Sequence, residues 1–269
     1  MQPFATVSSQ RYGAQRRKPS GLAQPKERPI GDQFRIIWMA VPDATDDWIE
    51  TASSTLSAAE RARMVRFFSS ADRASYVAAH ALLRAELAAQ LGVEPSAIDM
   101  KTDAFGKPKL AGEMTSVPCF SLTHTRRHVA CAIGPLPMGI DIEEPDRQID
   151  LSITSLLHPI EREQIFDAPE VEKTNVFVRI WTLKEAILKA MGTGLRTPLN
   201  SFAVTLDPLQ IKILPPKTDA NIFHLETGIV GAATPISVAI WTGADKPQTA
   251  GTFDLKIAER TLPDRTKPD

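Results

Sequence analysis

Two short segments constrain this chain more than its composition does. Residues 139–143 read Gly-Ile-Asp-Ile-Glu, and residues 181–189 read Trp-Thr-Leu-Lys-Glu-Ala-Ile-Leu-Lys. The first has the period of a strand, with Asp141 and Glu143 on one face and Ile140 and Ile142 on the other. The second has the period of a helix, on which Glu185 and Lys189 share a face with Trp181 one turn earlier. A fold that lays this strand beside this helix brings three carboxylates and an ammonium together. Oxygen donors of that kind suit Mg²⁺, which also takes water and substrate phosphates. The chemistry implied is phosphoryl or pyrophosphate transfer. The competing reading is an edge strand with solvated acids and a surface ion pair worth about 0.2–0.5 kcal/mol.

The bulk numbers exclude several classes. With 31 basic and 32 acidic residues the net charge is −1, so no global field favours nucleic acid or an anionic membrane. No apolar run has membrane-spanning length. Cys119 and Cys131 make neither a disulfide framework nor a zinc site, and a reducing cytoplasm is the expected compartment. There is no Gly-rich P-loop, dinucleotide fingerprint or Gly-x-Ser-x-Gly elbow.

Residues 1–33 are basic, polar and acid-poor, the composition of a disordered tail; residues 259–269 are expected to fray as well. Between them the pattern predicts a strand at 35–41 and a long helix at 57–90. That helix opens on a capping box, Ser57 with Glu60, and closes at Gly92. Strands are expected at 120–122 and 129–133, with a turn at 134–137 leading into 138–142 as a hairpin. A helix opens at Pro159 and a second long one spans 175–192, with Ile180, Leu183, Ile187 and Met191 as its apolar stripe. Further strands are expected at 202–206, 211–214 and 236–241. The element order suggests an α+β fold of two similar halves, 34–134 and 135–258.

Other residues could hold an anion. Thr123, His124, Arg126 and Arg127 combine a hydroxyl, an imidazole and two guanidinium groups. Arg61, Arg63, Arg66 and Arg73 make the first long helix basic, and Lys107 sits in a turn rich in breakers. Lys184 adds a cation beside Glu185. Each is equally readable as a solvated surface.

Taken together, these residues resemble a known family. Gly139 to Glu143, followed by Trp181, Lys184, Glu185, Ala186 and Lys189, is similar to the paired signature of the 4′-phosphopantetheinyl transferases. The match is to the larger, monomeric, surfactin-synthetase-activating type. Phe105-Gly106-Lys107-Pro108, the segment from Phe120 to His124 and the basic helix extend the resemblance over roughly residues 34–206.

The resemblance implies a pseudodimer of two α+β halves with the active site at their junction. It implies Mg²⁺-dependent transfer of 4′-phosphopantetheine from coenzyme A to a serine of an apo acyl or peptidyl carrier protein, releasing adenosine 3′,5′-bisphosphate. By the same resemblance Asp141, Glu143 and Glu185 bind the metal, and Glu185 takes the serine's proton directly or through a water. Lys189 balances charge on the departing phosphate, and Arg63, Lys107, Thr123 and His124 hold the coenzyme's 3′-phosphate end. Partners would be carrier proteins of fatty acid, polyketide or nonribosomal peptide synthases, with neither nucleic acid nor membrane. Glu60 stands where relatives often carry a basic residue, and Thr123 where Ser is more usual. The alternatives are a catalytically lapsed module that docks carriers, or another Mg²⁺-dependent enzyme acting on pyrophosphates.

Overall fold

The computed structural model describes residues 34–43, 45–103, 107–111, 118–146, 151–216, 218, 223–242 and 255–261. The stretch 1–33, residues 104–106 of the turn before Lys107, and residues 262–269 lie outside the described residues.

In chain order the strands are β1 (Phe34–Ala40), β2 (Met100–Thr102), β3 (Pro108–Leu110), β4 (Cys119–His124), β5 (His128–Gly134), β6 (Met138–Ile142), β7 (Ala203–Leu206), β8 (Leu209–Ile213), β9 (Phe223–Val230), β10 (Thr234–Trp241) and β11 (Leu255–Glu259). The α-helices are α1 (Asp46–Ser53), α2 (Ala58–Met64), α3 (Ser70–Leu91), α4 (Pro159–Phe166) and α5 (Lys173–Met191). The architecture is mixed α+β. One sheet has the order β11-β1-β5-β4 and a second the order β6-β10-β9.

Side-chain alternation assembles these into layers. On β1, Ile37 and Met39 join Ala78, Ala79, Leu82, Leu83 and Leu87 of α3 in one core. Ile36 and Trp38 point the other way, into a second core with Met138, Ile140 and Ile142 of β6 and Ile236, Val238 and Ile240 of β10. The first sheet therefore lies between α3 and the second sheet, and α5 covers the far face of the second sheet. That far face is small and polar: Gly139 and Asp141 on β6 pair with Ala239 and Ser237 on β10.

Small residues there let α5 come close. A Cβ on Gly139 would lie 1.9 Å from the carbonyl oxygen of Ala186 and 2.6 Å from the amide nitrogen of Ala190. Both neighbours are helix backbone and have no rotamer with which to retreat. Beside them the Thr182 hydroxyl meets that of Ser237 at 2.8 Å, both buried.

Three expectations are corrected. The helix expected over 57–90 is two helices, α2 and α3. The capping box at Ser57 and Glu60 forms as read, but Ser69 caps a second start by accepting from the Asp72 amide. Next, β5 and β6 are not a hairpin, because the turn at 134–137 carries the chain from one sheet to the other. β6 instead meets β4 through side chains: the Ile140 amide donates to Ser121 Oγ at 3.1 Å and the Ile142 amide to Thr123 Oγ1 at 3.4 Å. Finally, Glu259 and Arg260, read as the start of a fraying end, are built into the sheet. β11 runs parallel to β1, the Arg260 amide donates to Trp38 O at 2.9 Å, and the Arg260 guanidinium reaches buried Glu86 of α3, which also pairs with Arg35 at 2.7 Å.

Gly139→Ala should force α5 away from β6. We expect a loss of stability on the order of 1–3 kcal/mol, the usual cost of overpacking, read from chemical denaturation midpoints at unchanged slope.

Candidate active site

The α5-facing side of β6 carries the acids that the strand period put there. Asp141 is buried, 6% exposed, and its Oδ1 accepts two bonds: from Lys189 Nζ at 2.7 Å and from Thr123 Oγ1 at 3.0 Å. Lys189 Nζ also donates to Ile140 O at 3.0 Å. Among the described residues the second oxygen of Asp141 has no hydrogen-bond partner. Glu185, one turn before Lys189, is half-buried. Burial first, and then the charges of Asp141 and Glu143, push its carboxyl above the usual range against the pull of Lys189. Strand and helix thus bring Asp141, Glu143, Glu185 and Lys189 into one electrostatic neighbourhood. Among the described residues no three His, Cys, Asp or Glu side chains are grouped tightly enough to cage a metal ion.

The other lysines have separate tasks. Lys184 is fully buried on the opposite side of α5, bonded to Glu161 of α4 at 2.5 Å and to Phe202 O at 2.7 Å, above the Phe202 ring. Burial brings its pKa down to about 8 although Glu161 opposes the shift. Glu161 also accepts from the Val204 amide at 2.9 Å. The pair therefore ties α4, α5 and the start of β7 together, and Lys184 is not a cation of the site. Lys107 Nζ donates to the carbonyls of Lys189 and Met138, bridging the end of α5 and the start of β6. Burial lowers its pKa. Trp181 packs beside Phe177 against the α5 core.

The arginines of the Thr123 to His128 segment are spent on ion pairs, Arg126 with Asp72 and Arg127 with Glu144 and Asp146. His124 ends β4 with an exposed side chain, and its Nδ1 lies 3.0 Å from Ser75 Oγ. Surrounding packing holds its pKa below the usual imidazole range, and the nearby charges of His80, Lys189 and Arg63 add to the effect. Exposed Arg63 stands over the Tyr76 ring at 5.7 Å.

Glu60, the odd acid in a basic helix, turns inward. It bonds the Ser57 amide at 2.8 Å, His80 Nδ1 at 2.9 Å and Arg84 Nε at 2.6 Å. Arg84, 1% exposed, extends the network to Pro95 O and Ile98 O. This network docks α2 onto α3 and sets where Arg63 stands; the capping box was visible in sequence, but its second use was not. Burial pushes the Glu60 carboxyl up, yet the bonds from His80, Arg84 and Ser57 outweigh it and hold the pKa at about 2. A depressed carboxylate stabilises the fold above its unfolded value of 4.5 and loses that contribution as pH falls toward about 2. Glu60→Gln should cost on the order of 2–3 kcal/mol at neutral pH and flatten the acid limb of stability in that window, measured by denaturation at a series of pH values.

Comparison with known proteins places this geometry. Residues 137–239 match the model of the 4′-phosphopantetheinyl transferase superfamily, and residues 41–135 match that of the 4′-phosphopantetheinyl transferase N-terminal region. The chain is 31% identical over 185 residues to the 4′-phosphopantetheinyl transferase HetI of a Nostoc species, covering 67% of this chain and 77% of that one. It is 30% identical over 158 residues to the transferase Sfp of Bacillus subtilis, covering 58% and 69%. It is 28% identical over 183 residues to the transferase gsp of Aneurinibacillus migulanus, covering 67% and 75%. With both halves matched and the acid-bearing strand and lysine-bearing helix inside the matched span, this chain belongs to the 4′-phosphopantetheinyl transferase superfamily.

Proposed function

We propose that this transferase moves the 4′-phosphopantetheine group of coenzyme A to a serine of an apo carrier protein, and that the β6–α5 contact is where the reaction takes place. The observation that carries this reading is the Asp141–Lys189 pair, locked at 2.7 Å beside a Glu185 made more basic by burial and by the charges of Asp141 and Glu143. The serine oxygen forms a bond to the phosphorus bearing the pantetheine arm. The bond from that phosphorus to the bridging oxygen breaks, and adenosine 3′,5′-bisphosphate leaves. Glu185 takes the serine proton, directly or through a water, a role that typically contributes about 10²–10⁴-fold. Lys189 offsets negative charge on the departing phosphate.

Asp141, Glu143 and Glu185 would hold Mg²⁺. The donor set is all oxygen, Asp141 keeps an acceptor with no hydrogen-bond partner among the described residues, and crowded carboxylates are relieved by a cation. A closed protein cage is not required, since Mg²⁺ keeps waters and takes phosphate oxygens; bound there, it would neutralise the pyrophosphate. Arg63 and His124 would receive the 3′-phosphate. Thr123, buried beneath Asp141, serves by fixing that carboxylate. Lys107 reaches the coenzyme only by releasing the carbonyls of Lys189 and Met138.

Each half supplies a sheet and a long helix, α3 in 34–134 and α5 in 135–258. That correspondence supports a monomeric pseudodimer, although β11 crosses back to the first sheet. Carrier proteins of fatty acid, polyketide or nonribosomal peptide synthases are the partners we assign. A cytoplasmic site of action fits Cys119 and Cys131 both being free, and no helix among the described residues is long and apolar enough to cross a membrane.

Intact-protein mass spectrometry of an apo carrier incubated with coenzyme A and Mg²⁺ tests the reaction. One added phosphopantetheine is expected, and none without Mg²⁺. Asp141→Asn, which keeps the shape of this buried residue, should slow transfer by about 10²–10³-fold while leaving the fold intact by circular dichroism. Transfer at the normal rate in that variant would remove Asp141 from the site.

A further inference from the structure

Ser75, in the N-terminal part of α3, is 2% exposed and makes two hydrogen bonds across to β4 and its end. Its Oγ is 2.6 Å from Thr125 O and 3.0 Å from His124 Nδ1. A hydroxyl has a single proton to give, and a carbonyl can only accept. The proton therefore goes to Thr125 O, and Ser75 Oγ must accept from His124. That makes Nδ1 the protonated nitrogen of the neutral ring and leaves Nε2 as a bare acceptor.

We infer that Ser75 is a positioning residue that fixes the Nδ1–H tautomer of His124, so that capture of a phosphate at Nε2 is coupled to uptake of a proton. The inference rests on the placement of the coenzyme's 3′-phosphate at His124 proposed above. A neutral imidazole in this tautomer presents a lone pair to the phosphate oxygens and repels them. An imidazolium donates from Nε2 and attracts them. The charged groups around the ring set how readily it protonates: Arg63 on α2, His80 and Asp72 on α3, and Lys189 on α5. Three of these four are cationic or can become so, and only Asp72 favours the charged ring. An incoming phosphate dianion reverses that balance. The free site thus holds a neutral histidine, and the occupied one an imidazolium drawn from solvent protons.

Isothermal titration calorimetry of coenzyme A binding, near pH 7.5 in two buffers of different ionisation enthalpy, reads the proton directly. At that pH a phosphate monoester is already dianionic, its second pKa being about 6, so uptake reports on the protein. Uptake approaching about one proton per site is expected, with affinity falling up to about tenfold per pH unit above the imidazole pKa. His124→Gln donates from its amide without titrating, so uptake and pH slope should vanish. Ser75→Ala frees the ring to take the Nε2–H tautomer, so it should bind with less uptake and a shallower slope, an effect that mere loosening of packing would not produce. No uptake in the wild-type protein, or equal uptake in all three proteins, would overturn the inference. 3′-Dephospho-coenzyme A separates the two levels: if it binds as tightly as coenzyme A, the phosphate does not sit at His124 and the placement itself fails.

Discussion

The rest of this structure depends on the absence of one side chain. Because residue 139 is glycine, the backbone of α5 comes within van der Waals contact of β6 at Ala186 and Ala190. That approach sets the reach of every functional group nearby. Lys189 bonds both Ile140 O and Asp141, and Glu185 is carried close enough to sense the charges of Asp141 and Glu143. Were the helix further out, the same residues would become the solvated ion pairs that their composition alone suggests, worth little. Ser237 and Thr182, small and polar, continue the close seam along the same face. The geometry of this acid–lysine cluster is thus a packing outcome first and an electrostatic one second.

Two lysines five positions apart on α5 show how the helix divides its work. Lys184 is sealed with Glu161 and the Phe202 carbonyl, and Glu161 accepts from the Val204 amide, so the pair ties α4, α5 and the start of β7 together. Replacing such a partner leaves a buried charge alone, which is far costlier than losing a surface pair. Lys189 is about one-third exposed and faces the carboxylates. One end of the pattern is anchored in the core while the other keeps access to solvent. On α2, Glu60 plays the anchoring part and leaves Arg63 outward.

Much of this was legible because it follows short-range periodicity. The alternation on β6 and the stripe on α5 needed no tertiary information, and the capping box at Ser57 and Glu60 formed where it was read. What escaped was non-local. The break between α2 and α3 lies in a run of residues compatible with helix, and only Ser69 marks it. The turn at 134–137 looks like hairpin grammar, but β6 finds its partner in β10, a hundred residues later, and meets β4 through two hydroxyls. β9 was not among the expected strands, although Phe223, Leu225 and Ile229 alternate along it with His224, Glu226 and Gly228. The burial of Lys184 contradicts what its residue type favours, and only the position of Glu161 makes it possible.

The parallel pairing of β11 with β1 bears on how the chain reaches this state. The first sheet begins at Phe34 yet is completed only by Leu255 to Glu259, with Arg260 closing onto Glu86 of α3. During synthesis the N-terminal layer therefore emerges with one edge of β1 open, and that edge stays unpaired until the distant β11 segment has left the ribosome. The sheet that β1 opens cannot be completed before β11 is made. Sequence distance here becomes time, and β11 works as a seam that closes late.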